Sequence, residues 1–248
     1  MKASDFIVVI PARFGSARLP GKPLADIGGR PMIARVFERA AASGAAEVLV
    51  ATDDSRIVDA CERFGAKALL TRADHDSGTD RIAEVAERMG WRDDRIIVNV
   101  QGDEPLIPPA VIAQAAHLAQ RRPDAALATL VTPIDSDEDR HNPNFAKVVV
   151  DSADRALYFS RAPIPWPRDG GPVAGFRHIG IYAYRSATLR ALSAAGPCEL
   201  ERIEKLEQLR ALWLGLEIAV EVAAEIPPAG VDTEDDLRVV RALLARSS

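Results

Sequence analysis

Between Phe6 and Val131, short apolar runs alternate with segments of helical period, and few folds accept that rhythm. Phe6–Ile10, Val48–Thr52, Lys67–Thr71, Arg95–Val100 and Leu127–Val131 read as strands. Pro31 opens a helix whose Ile33, Val36, Phe37 and Ala40 recur at the helical spacing, and Gly44 ends it. A second helix runs through Phe64 from a cap among Asp53, Asp54 and Ser55. A third follows Gly78 with Ile82, Val85, Ala86 and Met89, and Pro108-Pro109 opens a fourth. The alternation predicts an α/β fold, a mostly parallel sheet with helices on both faces.

After about residue 145 the rhythm changes. Ala146–Asp151 and Arg155–Phe159 read as a hairpin, and a loop rich in Pro and Gly from Ala162 to Gly175 precedes an alternating strand, Arg177–Tyr184. Glu199–Leu214 predicts one helix, Glu217–Val222 a strand and Asp232–Ala245 a last helix, with Thr233 and Asp236 as its capping box. No repeat or linker divides the 248 residues, so 1–248 reads as one domain with 145–200 as an insertion that adds strands.

Composition narrows the function classes. Hydrophobic residues at 48% allow a sizeable core, and a net charge of −5 argues against nucleic acid as a partner. The run Phe6–Ile10 is too short for a signal peptide, and no segment approaches membrane-spanning length; a cytoplasmic protein with no membrane partner is expected. Cys61 and Cys198 cannot build a disulfide framework, and no Cys/His spacing suggests zinc. Cys61 falls on the apolar side of its helix with Ile57, Val58 and Phe64.

Chemistry concentrates after the first strand. The loop from Pro11 to Leu24 carries Arg13, Arg18 and Lys22, with Gly15, Ser16 and Gly21 giving it freedom. It is neither a Walker loop nor a Gly-x-Gly-x-x-Gly turn. A cationic loop at the C-terminal end of a first strand is where an α/β protein meets a polyphosphate, although a basic surface loop would look the same. Asp103 follows the strand Arg95–Val100, and Asp232 begins the last helix. The bland alternatives are a turn acid for Asp103 and an N-cap for Asp232; with the cationic loop the two suit Mg²⁺ and a nucleoside triphosphate. Ser77, Gly78 and Thr79, at a helix N-terminus, offer free N–H groups or serve only as a cap.

Longer motifs carry a resemblance. Pro-Ala-Arg-x-x-Ser-x-Arg-Leu-Pro-Gly-Lys-Pro-Leu at 11–24 is similar to the loop of cytidylyltransferases that activate acidic sugars. The stretches 71–79, 98–105, 157–166, 177–182, 205–210 and 230–237 resemble the branch of that family acting on 3-deoxy-manno-octulosonate (Kdo). The resemblance implies a three-layer, Rossmann-like sheet of the nucleotide-diphospho-sugar transferase type, with the β-rich insertion forming a homodimer contact. It implies CTP and Kdo as substrates, CMP-Kdo and pyrophosphate as products, and a role in lipopolysaccharide synthesis.

By the same resemblance Arg13, Ser16, Arg18 and Lys22 line the triphosphate, and Lys22 and Arg18 stabilise charge at the reacting phosphate. Asp103 and Asp232 hold Mg²⁺, and Ser77, Gly78 and Thr79 belong to the nucleotide pocket. Gln101, Arg161, His178, Tyr182, Glu207 and Gln208 form the sugar-acid site. An N-acylneuraminate or an 8-amino-Kdo enzyme shares the triphosphate loop. A metal-dependent glycosyltransferase would show Asp-x-Asp, whereas Asp103-Glu104 is followed by Pro105. A noncatalytic CTP-binding regulator would have lost Lys22 or a carboxylate.

Overall fold

The computed structural model describes residues 6–15, 18–171 and 175–247. In chain order the elements are β1 (Phe6–Ala12), α1 (Met32–Ala41), β2 (Glu47–Thr52), α2 (Ser55–Arg63), β3 (Lys67–Leu70) and α3 (Gly78–Arg88). Then come β4 (Ile96–Asn99), α4 (Pro109–Arg121), β5 (Leu127–Pro133), α5 (Asp137–His141), β6 (Lys147–Val150), β7 (Ala156–Ser160) and β8 (Phe176–Arg185). The chain ends with α6 (Ser186–Ala195), α7 (Glu199–Glu204), α8 (Leu209–Trp213), β9 (Ile218–Val222) and α9 (Glu234–Ser247).

The main sheet has the order β3-β2-β1-β4-β8-β5-β9, and only β8 runs against the others. Strand alternation sorts the core into two layers. Phe6, Val8 and Ile10 face Ile33 and Val36 of α1, Ile57 and Cys61 of α2, and Val111 and Ile112 of α4. Ile7 and Val9 face Ile82 and Val85 of α3, with Leu189 of α6 and Leu209 of α8 on the same side. Cys61 is a core residue, as its helical position predicted, and burial pushes its thiol up to about 12.

The expected α/β alternation is present, with Asp54 capping α2 and the Thr233–Asp236 box capping α9. The insertion adds strands as expected: β6 and β7 form the predicted hairpin, and β8 enters between β4 and β5. Two features differ from expectation. Helices α5 and α6 were not anticipated, because the first is a single turn and the second is Ala- and Ser-rich with little apolar contrast.

The helix expected over Glu199–Leu214 is two helices, because Lys205 adopts a left-handed conformation (φ 55°) and ends α7. A tertiary contact meets that break: Arg161 donates to the carbonyl oxygens of Glu204 at 2.7 Å and Lys205 at 3.4 Å. Lysine carries no sequence signal for such a turn.

The order 2-1-4 places the chain reversal between β1 and β4, where the loops after the two strands part and leave a crevice. Gly102, just past β4, lies against the end of β1: a Cβ there would sit 2.8 Å from the Pro11 carbonyl oxygen. Gly102→Ala is therefore expected to shift the turn that carries Asp103. The cost should be about 1–3 kcal/mol in stability, with lower activity. Denaturant midpoints and initial rates measure both; a variant matching wild type in each would show the turn to be slack.

A third, smaller cluster fixes the far end of the chain. Val231, Leu237 and Val240 pack on Ile27 and Met32, just beyond the cationic loop. Asp232, more than 200 residues later in sequence, is thereby brought beside Lys22.

Candidate active site

The cationic loop is held at several points. Gly21 (φ 68°) donates its N–H to the Phe14 carbonyl at 3.2 Å and lies so close to the Phe14 ring that a Cβ would meet it at 3.2 Å. Phe14 N–H reaches Asp53 Oδ1 at 3.2 Å, and the buried Arg81 donates to Asp53 Oδ2 at 3.1 Å. A guanidinium from Arg56 lies 3.5 Å over the Phe14 ring. Lys22 then starts a single 3₁₀ turn with Pro23. Its Nζ is thus held on a braced backbone rather than loose in solvent.

Lys22 is the hub. Its Nζ lies 2.7 Å from Asp103 Oδ2, 3.2 Å from Asp232 Oδ1 and 2.9 Å from the Val231 carbonyl oxygen. Arg18 Nη2 is 3.0 Å from the other oxygen of Asp232. The main chain joins the two acidic segments directly, since Val231 N–H donates to the Asp103 carbonyl at 2.8 Å. Both carboxylates remain partly exposed, so neither is locked in an internal ion pair.

Two cavities meet here. One of about 390 Å³ is lined by Arg13, Arg18, Lys22, Ser77, Gly78 and Gln101 among others; the other, about 490 Å³, by Arg161, Arg177, His178 and Tyr182. Arg18, Asp103 and Asp232 line both. The three residues at the junction are thus the two acids and one of the cations that the sequence singled out, and the cavities lie on either side of that charge.

In the first cavity the helix N-terminus is engaged from within. Glu207 Oε1 accepts from Gly78 N at 3.2 Å, while its Oε2 accepts from Thr79 N at 3.1 Å and Thr79 Oγ1 at 2.7 Å. A carboxylate suits the positive end of α3. Glu207 and Gln101, expected at the sugar acid, line this first cavity. Thr79 is buried behind it, and Ser77 caps α3 by accepting from Asp80 N at 3.1 Å. Ser16 lies outside the described residues. His75 also faces this space, its Nε2 2.5 Å from Glu84 Oε2.

In the second cavity His178 and Tyr182 share a face of β8, as their spacing predicts, with ring centroids 5.3 Å apart. Burial drives the His178 pKa down to about 3, so the ring is neutral at physiological pH. Its tautomer follows from its neighbour. Thr129 Oγ1 gives its one proton to the Ile181 carbonyl at 2.7 Å, so at 2.9 Å it must accept from His178 Nε2. Nδ1 then keeps its lone pair and is able to accept a hydrogen bond. Gln208, at the start of α8, accepts from Tyr182 Oη at 2.8 Å and orients it without lining the cavity.

Sequence alone assigns no role to Glu104, Arg81, His75 or Arg177, and offers Asp53 only as a candidate helix cap. Their function is legible only from contacts. The Glu104 carboxyl turns inward, close enough to Gly230 that a Cβ there would lie 2.9 Å from Oε1. Burial, reinforced by the Asp103 charge, pushes it up to about 8. Its folded pKa exceeds an ordinary glutamate's, so the unfolded chain loses this proton first as pH rises. Stability should therefore fall between about pH 4.5 and 8, by up to about 1.4 kcal/mol per pH unit. Melting curves across that range should separate wild type from Glu104→Gln; parallel curves would exclude the effect.

Comparisons with known proteins place the chain in a family. The family model described as cytidylyltransferase matches residues 7–218. A 3-deoxy-manno-octulosonate cytidylyltransferase from Hahella chejuensis (strain KCTC 2396) is 56% identical, covering 99% of this chain and 100% of the relative. One from Yersinia enterocolitica serotype O:8 / biotype 1B (strain NCTC 13174 / 8081) is 55% identical over 97% and 98%. The solved structure of a CMP:2-keto-3-deoxy-manno-octonic acid synthetase complexed with CTP superposes with a TM-score of 0.92. It is 46% identical and covers 99% of this chain and 100% of its own. A cytidylyltransferase from Leptospira borgpetersenii serovar Hardjo-bovis (strain JB197), 16% identical, shares the fold with a TM-score of 0.65 over 98% of this chain and 87% of its own. On the span of the family model and these nearly full-length identities, the chain belongs to the cytidylyltransferase family.

Proposed function

We propose that the protein joins CTP to 3-deoxy-manno-octulosonate, giving CMP-Kdo and pyrophosphate. The observation that carries this is the junction: two cavities share Asp103, Asp232 and Arg18, and Lys22 reaches both acids. A nucleotide in the first cavity and a sugar acid in the second would place their reacting atoms at that junction. The names of the relatives, and the CTP complex of the structural neighbour, support the same pair of substrates.

The donor set fits magnesium. Two partly exposed carboxylates converge on one ammonium, and among the described residues no cluster of three His, Cys, Asp or Glu builds a closed metal site. A hexacoordinate hard cation held by one or two carboxylates leaves positions for phosphate oxygens. Bound there by Asp103 and Asp232, it would supply charge neutralisation at the reacting phosphate.

The remaining chemistry belongs to side chains. Lys22 would give donors now engaged by the two acids to the triphosphate, with Arg13 and Arg18 offsetting its charge. The anomeric hydroxyl of the sugar attacks the α-phosphorus. The new O–P bond forms as the P–O bond to pyrophosphate breaks, and the hydroxyl proton passes to solvent. His178, neutral, accepts a sugar hydroxyl at Nδ1 rather than acting as a base. In-line geometry and fixed charges supply most of the acceleration in such transfers.

Pyrophosphate release with CTP and Mg²⁺ tests the reading, with Kdo, 8-amino-Kdo and N-acetylneuraminate compared side by side. Release with Kdo is the expected result. Release only with another acid would move the substrate, and none with any would remove the function. No helix among the described residues is long and apolar enough to cross a membrane, and synthesis in the cytoplasm, where CTP is made, belongs to the same reading. So does a homodimer. Leu157 on the edge strand β7, Trp166 and Ile203 are each at least 60% exposed, an apolar surface within or beside the insertion for a second copy to cover.

A further inference from the structure

Arg13 and Lys22 line the first cavity from the two ends of one loop, and Phe14 joins those ends. Its carbonyl accepts from the N–H of Gly21, the residue before Lys22, at 3.2 Å, and its own N–H donates to Asp53 Oδ1 at 3.2 Å. The peptide between Arg13 and Phe14 is therefore tied to the turn after β2, and the Lys22 end of the loop is tied to Phe14. Ser77 and Gly78, at the N-terminus of α3, line the same cavity. The buried Arg81 belongs to that helix and gives Nη2 to Asp53 Oδ2 at 3.1 Å. Its Nη1 reaches Thr71 Oγ1 at 2.5 Å and the Arg72 carbonyl at 3.2 Å.

Asp53 is thus shared between two walls of the cavity. Its own side chain is largely buried and lines neither cavity, so any influence it has on a ligand passes through its partners. A carboxylate accepts at both oxygens, and here one takes a main-chain N–H of the loop and the other a guanidinium of the helix. We propose that Asp53 and Arg81 are a positioning pair for the nucleotide. They fix the cationic loop against the N-terminus of α3, and so decide how well Arg13 and Lys22 meet the triphosphate. The inference rests on the function proposed above.

Asparagine cannot replace this aspartate. An amide offers one oxygen, so its NH₂ must face either the Phe14 N–H or the Arg81 guanidinium, donor against donor. The loop then samples arrangements in which its cations miss the phosphates, and apparent affinity falls with the fraction of molecules still competent to bind. Saturating CTP selects the competent arrangement again, so turnover at saturation survives.

The test is calorimetric binding of CTP and of CMP, with steady-state kinetics, on wild type, Asp53→Asn and Arg81→Lys, and urea melts to establish that each is folded. Asp53→Asn is expected to raise Kd for CTP about 10- to 100-fold, the weight of hydrogen bonds to a charged group acting through the competent fraction. CMP, which lacks the two outer phosphates, should lose no more than about threefold, since it makes less use of the cations. KM for CTP should rise with Kd, while kcat at saturation stays within about threefold. Arg81→Lys should show the same order with a smaller loss, because an ammonium keeps the charge but cannot hold Asp53, Thr71 and Arg72 in one plane. An unchanged Kd for CTP in folded Asp53→Asn, or an equal loss for CTP and CMP, overturns the assignment. Failure of both variants to fold would make the pair purely structural and overturn it too. A wild type that binds CTP but turns over no sugar acid would sink the proposed function alone, the pair being read from the binding titrations. A wild type that binds no CTP would sink both.

Discussion

Asp103→Asn should fold as the wild type does and lose turnover by about 100-fold or more, the scale set by losing a charge at the reacting phosphate. Asparagine keeps the volume of aspartate and one carbonyl oxygen, and removes the negative charge. The main chain of the turn is held independently, by Val231 N–H on the Asp103 carbonyl at 2.8 Å. Lys22 keeps two of its three partners, Asp232 and the Val231 carbonyl. The side chain is about one-third exposed, so its ion pair with Lys22 contributes little to stability. The expected pattern is an unchanged melting curve, a collapse of kcat and a raised requirement for Mg²⁺. Wild-type turnover in this variant, with CTP and Mg²⁺ saturating, would rule out Asp103 as a metal ligand.

Arg210→Met should do the opposite and act through stability, by about 3–5 kcal/mol. Arg210 is 2% exposed and sits between two acids: Nε and Nη2 meet Glu201 at 2.8 and 2.7 Å, and Nη1 meets Asp80 at 2.9 Å and the Leu192 carbonyl at 3.0 Å. Burial opposes the charge, but hydrogen bonds donated to Glu201 and Asp80 outweigh it and hold the guanidinium pKa above its ordinary value. Methionine fills the space and leaves two largely buried carboxylates without a cation. For a chain of this length the loss lowers Tm by roughly 10 °C. Arg210→Lys should restore only part of it, since an ammonium cannot meet both oxygens of Glu201 in one plane. A change under about 1 kcal/mol in urea melts would mean that the acids find other partners.

That cluster also reaches the site. Asp80 accepts from Ser77 Oγ at 2.5 Å, so Arg210 on α8 indirectly orients the capping serine of α3 at the first cavity. Glu207, three residues earlier, caps the same helix. The break after α7 is what lets one short segment supply both, and nothing in the local residue pattern announces it. A continuous helix over 199–214 would have placed Glu207 and Arg210 on one face, one turn apart. Instead the left-handed Lys205 redirects the chain, and Arg161 meets the carbonyls released there.

Other features were legible because they are local or repeat along the chain. The β-branched runs and 3.6-residue periods marked the elements of the first 130 residues, and Asp54 and Thr233 marked helix starts. The cationic loop and the acids after β4 and before α9 stood out by charge and position. Direction and pairing were another matter. An isolated strand such as Arg177–Tyr184 shows its alternation but not its neighbours, and here it fills the gap between two parallel strands, running against both.

What the sequence determined by itself was therefore the α/β class, the family motifs and the identity of the charged groups, all of which follow from residue type and spacing along the chain. What only the tertiary structure decided was the company those groups keep. Lys22 meets Asp232 because a small apolar cluster docks α9 near the first loop. Arg161 is committed to main chain because carbonyls from distant segments converge on its guanidinium, whereas Arg177 lies over an aromatic face. Such contacts span up to 210 residues, and the free energy that selects them comes from packing of the whole core, which no local window of sequence contains.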